Sequence, residues 1–382
     1  MKSPTLLLLL AGLLASLTAR ATTVFWLAPD GRDDATGTQE RPFATLPRAA
    51  EALRAHLKSS PPRDVAVRLR GGVYRLDHPL ELTAAELGDG KFAVTFAAHQ
   101  GERVVLSGAR ELTGTWRRVQ ENLWALSVPA AQESGWVFRS LFREGAAQPR
   151  AREPNVGHFT VAAVEGNRSR LRLHQRLPES WSKLAGVEIN SVAHWHFNRQ
   201  PAAEITTETV SGRRGIGTDV SGAQITEKSH SRVWLENALS FADAPGEWFL
   251  DATAGELFYV AAPGEDPNRS RFTAPVAREL LFVRGTAEQP VRNVHFRGLE
   301  FAETDWEMPA EGRLGIQAGA WAADRSRTYS PGAAVRFSYA LGTSIQNCRF
   351  RDLGDGAVSY EIGAADAVLA RSEFLRVGSN AV

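Results

Sequence analysis

Asp305-Trp306-Glu307 sets an acid, an indole and a second acid side by side, and Asp352 and Asp355 bracket Leu353-Gly354 further along. Carboxyl pairs can cleave a glycosidic bond. Held about 5–5.5 Å apart they act with retention, and roughly 6.5–9.5 Å apart with inversion around a water. An indole beside them offers a sugar ring an apolar face. Residue type therefore makes Asp305, Glu307, Asp352 and Asp355 the catalytic candidates, with Trp306, Gln317 and Glu361 as candidates for substrate contact. A bland alternative stands beside the Asp352 assignment: Arg376 occupies the matching place 24 residues on, so the two could simply form a stacked ion pair. His194-Trp195-His196 would put two histidines on one face of a strand, where a third ligand could complete a metal site. A solvent-facing pair beside a buried Trp fits better, and no metal or other cofactor is expected. Gly212-Arg-Arg-Gly-Ile-Gly217 lacks the strand-then-helix setting of a nucleotide loop.

What would position these acids is a repeat. Thr343–Val358 is echoed by Ala367–Val382: Ile345 matches Leu369, Phe350 matches Phe374 and Leu353 matches Val377, each 24 residues apart. A weaker copy, Val294–Phe301, aligns Phe301 with Phe350 about two periods upstream. Units this short cannot bury a hydrophobic face alone, so they must stack. Rich in β-branched and aromatic residues, they read as coils of a parallel β-helix. Equivalent positions of adjacent coils then lie about 4.8 Å apart, so carboxylates one or two coils apart meet either catalytic spacing. Cys348, opposite Ser372 in the repeat, belongs in the core, and a single cysteine offers no disulfide framework.

Upstream, Lys2, the apolar run Leu6–Leu17 and Ala19-Arg20-Ala21 form a signal peptide, too short to span a bilayer. The mature chain is expected to be secreted or periplasmic. With Lys+Arg 44 against Asp+Glu 43, no basic face is available for nucleic acid. A helix over Pro47–Leu57, capped by Thr45, would cover the open end of the first coil. Strands are expected at Val65–Leu69, Val73–Leu76, Phe92–Ala97 and Val104–Leu106. From about Arg110 the rhythm is lost, and it returns near Glu279. The tryptophan-rich stretch between has hairpin signals such as Asp251–Gly255, and its tryptophans should form its own core. Ala302–Ala333 reads as a long loop. The division is 1–21 signal peptide, 22–109 cap and first coils, 110–275 inserted β-rich domain, and 276–382 further coils, truncated at the C-terminus.

Val24-Phe-Trp-Leu-Ala-Pro-Asp-Gly31 with Gly37-Thr-x-x-x-Pro-Phe-Ala-Thr-Leu46 resembles the opening of many secreted β-helix carbohydrate enzymes. Gly72-Val-Tyr-Arg-Leu76, Leu141-Phe-Arg-Glu-Gly145, Pro149–Asn155, Pro245–Asp251, Gly255–Tyr259, Gln317-Ala-Gly319 and Asn347-Cys-Arg-Phe350 resemble glycoside hydrolase family 141 more narrowly. The resemblance implies an all-β fold: a right-handed parallel β-helix, a pectate-lyase-like solenoid, with an N-terminal capping helix and an inserted antiparallel β-sandwich-like domain. It also implies a hydrolase, fucosidase- or xylanase-like, acting on plant or algal polysaccharide; separately, a monomer with no membrane partner is expected. The family's catalytic aspartates belong to later coils, which match no position here, so this polypeptide alone is expected to be weakly active or inactive. Two other functions stay open: a non-enzymatic glycan-binding or structural β-helix, and a polysaccharide lyase. A lyase would want clustered acids for Ca²⁺ and a base to take a proton α to a uronate, and no dense Asp cluster marks one coil face.

Overall fold

The computed structural model describes residues 22–59, 63–87, 90–166, 169–193, 196–213, 231–315, 320–322 and 328–382. The signal-peptide segment, His194-Trp195, Gln317 and most of Gly212–Gly217 lie outside them. The protein is all-β with few helices. Three parallel sheets organise it. The first joins Thr23–Leu27, Val65–Leu69, Val94–Ala98, Val294–Arg297, Ser344–Gln346 and Val368–Ala370. Gly72–Arg75, Val104–Ser107, Leu299–Thr304, Arg349–Leu353 and Glu373–Val377 make the second. Leu80–Thr83, Leu281–Arg284, Ala333–Ser338 and Gly356–Tyr360 make the third. The chain visits first, second and third in turn and then returns to the first, one circuit further on.

Registry follows the repeat. Ile345 pairs with Leu369, Phe350 with Phe374 and Leu353 with Val377. The Phe350 ring stacks on Phe301 at 4.9 Å and on Phe374 at 5.0 Å. Like residues in register give continuous apolar contact, and one core runs from Leu27 through Phe96, Phe296 and Phe301 to Phe350, with Cys348 inside it. The corners repeat as well. Between the first and second sheets Gly298, Asn347 and Arg371 adopt φ of 67°, 53° and 50°, and near the end of the second-sheet strands Glu303, Asp352 and Arg376 adopt 62°, 55° and 49°. Such left-handed backbone costs an ordinary residue about 1 kcal/mol or more and persists where neighbours over-determine it. Here Arg371 donates to Asn347 Oδ1 (2.8 Å), and Arg376 donates to Asp352.

The helix spans Leu46–Ser59, with Arg48 N–H donating to Thr45 Oγ1 at 3.3 Å as its N-cap bond. Its apolar stripe, Leu46, Ala49, Ala50 and Leu53, is buried in the same core as Leu27 and Val65. Among the described residues no helix is long and apolar enough to cross a membrane.

Between the second-sheet strand ending at Ser107 and the third-sheet strand beginning at Leu281, the named strands pair antiparallel. Two cores of its own hold this stretch together. One contains Trp116, Trp248, Tyr259 and Phe272, the other Ile189, Val233, Leu235 and Phe241. The Asp251–Gly255 turn closes a hairpin, with Asp251 Oδ1 accepting from the N–H groups of Thr253 and Ala254. His196 is 2% exposed, which corrects the solvent-facing reading for that histidine.

Candidate functional site

Two excursions leave the sheets at the same junction, between second and third. Residues 108–280 depart after Ser107 and residues 305–332 after Thr304, whereas one circuit later Gly354-Asp355 alone bridges it. Segments that leave one edge on adjacent circuits start as neighbours, and these two meet again further out. Asn198 and Arg199 of the strand His196–Ile205 pair with Leu314 and Arg313. The span expected to be a plain loop therefore carries short strands, Arg313–Gly315, Trp321–Ala322 and Thr328–Tyr329, that extend the sheet of the first excursion. Runs of two or three residues hold no period to detect, which is why the sequence reads as loop.

Asp305 begins the second excursion. Its N–H donates to Ala277 O at 2.9 Å, and its side chain is packed under the junction with the residue only 8% exposed. Burial pushes its carboxyl up to about 6, against the opposing N–H groups of Trp306 and Arg139. Its Oδ1 has no hydrogen-bond partner. Gly354 caps this pocket: a Cβ there would lie 2.4 Å from the Asp305 carbonyl carbon and 2.8 Å from Trp306 N.

Trp306 is ringed by guanidinium groups, Arg139 at 4.2 Å, Arg313 at 4.5 Å and Arg199 at 5.1 Å from ring centroids. Each is worth about 0.5–2 kcal/mol depending on desolvation. The arginines are themselves anchored. Glu188 accepts from Arg139 and, bidentately, from Arg150 at 2.8 and 3.1 Å. Burial pushes Glu188 up, but the two guanidiniums outweigh it and hold the carboxyl at about 2, while burial and Arg150 bring Arg139 down to about 10. Arg313 grips Asp355 with two bonds, 2.5 and 3.2 Å.

Beyond that pair opens a cleft of about 450 Å³, lined among others by Glu307, Glu311, Arg313, Trp321, Tyr329 and Asp355. Trp321 and Tyr329 stack at 4.5 Å, 19° from parallel. Of the acids singled out from sequence, Glu307 and Asp355 reach this cleft, Glu307 also pairing with Arg278. Neither Asp305 nor Trp306 is among the residues that line it. Asp352 does not join them. It sits with the Arg351, Glu300 and Glu303 cluster and accepts from Arg376, so the ion-pair alternative is the one realised. Glu361 is held by Arg336, which also bonds Glu279, and does not line the cleft. Arg139, Arg313, Trp321 and Tyr329 went unnoticed in the sequence, where nothing ties them to Asp305. Among the described residues no group of three or more His, Cys, Asp or Glu could hold a metal ion.

No family model and no curated protein matches the chain. It is similar in fold to a solved structure described as a glycoside hydrolase, with a TM-score of 0.79 and 23% identity over 91% of this chain. The chain spans 65% of that protein's length. A structure of XylC with xylose overlaps more loosely, with a TM-score of 0.44 and 14% identity, covering 93% of this chain and 54% of that one.

Proposed function

We propose that the three parallel sheets are the walls of a right-handed parallel β-helix, capped by the N-terminal helix and interrupted by the antiparallel domain at 110–275. The protein is read as a secreted or periplasmic glycoside hydrolase that acts on a complex polysaccharide with two carboxyl groups. The observation that carries this reading is a pair of buried aspartates at one junction, Asp305 with an unpartnered oxygen and Asp355 held by Arg313. Asp305 is buried and holds its proton to about pH 6, as a general acid needs. Asp355, gripped by Arg313 through two bonds, faces the cleft. Glycoside cleavage needs two carboxyl groups, one of them a general acid that keeps its proton. The stacked Trp321 and Tyr329 that share the cleft with Asp355 suit a sugar better than a phosphate chemistry.

The test incubates the protein, alongside Asp305→Asn and Asp355→Asn, with a panel of plant and algal polysaccharides. New reducing ends and the absorbance of unsaturated products are followed together. Against the expectation of weak or no activity drawn from the family's later coils, hydrolysis by this polypeptide, with at least a hundredfold loss in each variant, is the expected result. Unsaturated product would point to a lyase instead. Undiminished turnover in both variants would remove these aspartates from the mechanism.

A further inference from the structure

We infer that Phe197 and Trp234 form a second sugar platform on the sheet face that carries the cleft's Trp321–Tyr329 pair, so that the ligand is an oligosaccharide chain rather than a single sugar. This inference rests on the carbohydrate reading above and assigns the length of glycan it takes.

Strand register puts the two aromatic pairs on one side. Trp234 pairs with Asn190, Asn190 with Arg199, and Arg199 with Arg313. Phe197 stands two residues before Arg199 and Gly315 two after Arg313, and Gly315 pairs with Trp321, which pairs with Tyr329. Residues two apart on a strand share a face, so these side chains project together. Ring contacts agree. Arg199 lies 5.4 Å from the Phe197 centroid and 5.1 Å from that of Trp306, while Arg313 lies 4.5 Å from Trp306 and 5.6 Å from Trp321.

An isolated exposed phenylalanine would need no explanation, but this one is fixed in place. Phe197 stacks on Trp234 at 5.7 Å, 18° from parallel, and is still 45% exposed. The indole beneath it is held by Nε1–H donating to Glu236 at 2.6 Å and by the Arg152 guanidinium 5.0 Å from its centroid. Arg152 in turn donates to Pro154 O and Gly157 O. A rigid aromatic surface binds a sugar's apolar face without paying to order itself. Between the platforms lies Gly315, where a Cβ would come 2.5 Å from the Phe197 carbonyl oxygen, so that position raises no side chain between them. The strands of Phe197 and Trp321 are two spacings apart, roughly 10 Å. A ligand touching both platforms must therefore be longer than one sugar ring.

The test titrates the protein by calorimetry with xylo-, cello- and fuco-oligosaccharides from the monosaccharide to the hexasaccharide. Affinity should climb about tenfold from the shortest member that binds to those long enough to reach Phe197. Phe197→Ala should abolish that climb and leave the shortest binder unchanged, whereas Trp321→Ala should weaken every length. Phe197→Tyr keeps a ring on the platform and should retain the climb, which separates lost contact from misfolding. Affinity that does not grow with length, or Phe197→Ala binding long chains like the parent or weakening every length alike, would overturn the inference while leaving the carbohydrate reading in place. Binding of no member of any series would overturn both.

Discussion

Replacing Asp305 by Asn should make the protein more stable at alkaline pH and leave it unchanged in acid. The Asp305 carboxyl is buried, keeps an oxygen without a hydrogen-bond partner and is raised from 3.8 to about 6. The sign follows from proton linkage. A carboxyl whose folded pKa lies above its unfolded value binds protons more tightly in the folded state, so stability falls as pH climbs through the window between them. The window here runs from about pH 4 to about pH 6. With about 1.4 kcal/mol for each pH unit, ionised Asp305 costs the folded state roughly 3 kcal/mol above that window and nothing below it. Asn keeps the shape and still accepts from the Trp306 and Arg139 N–H groups that now face the carboxyl, without the charge. Urea unfolding of the parent and of Asp305→Asn, each at pH 4 and pH 8, isolates the effect, because every other titrating group is shared. The variant should match the parent at pH 4 and exceed it by about 2–3 kcal/mol at pH 8. A variant equal to or weaker than the parent at pH 8 would refute the reasoning. It would mean that Asp305 is solvated, or is stabilised as an anion by the neighbouring arginines.

Gly354→Ala should lower stability by about 1–3 kcal/mol or more, since its Cβ meets Asp305 and Trp306 backbone that cannot swing aside; the denaturant midpoint reads it. Arg351→Met should cost about 3–5 kcal/mol, because Arg351 bonds Glu300, Glu303 and Asp352 at once. Adding Glu303→Gln should recover part of that loss, since Glu303 would otherwise keep only the Ser107 hydroxyl. Phe350→Ala removes the middle ring of the Phe301–Phe350–Phe374 stack and should cost about 3–5 kcal/mol in the same assay.

Much of the scaffold is written locally in the chain. Ile345 with Leu369 and Phe350 with Phe374 are legible because parallel pairing brings like positions together, and a fixed 24-residue offset therefore records a contact directly. Thr45 ahead of an amphipathic run, and Asp251 at the head of a turn, are legible for a different reason: their partners lie within a few residues. The site is not local. Arg139, Arg199 and Arg313 converge on Trp306 from separate parts of the chain, with no period that relates them. Sequence could name Asp305, Glu307, Asp352 and Asp355 as acids of one kind. It could not tell the one that keeps an unpartnered oxygen from the arginine-paired ones, because the surroundings are set by Ala277, Arg139 and Gly354 for Asp305 and by Arg278, Arg376 and Arg313 for the others. A carboxyl's proton affinity depends on what removes its water and which charges replace it, and only the fold brings those groups to its side.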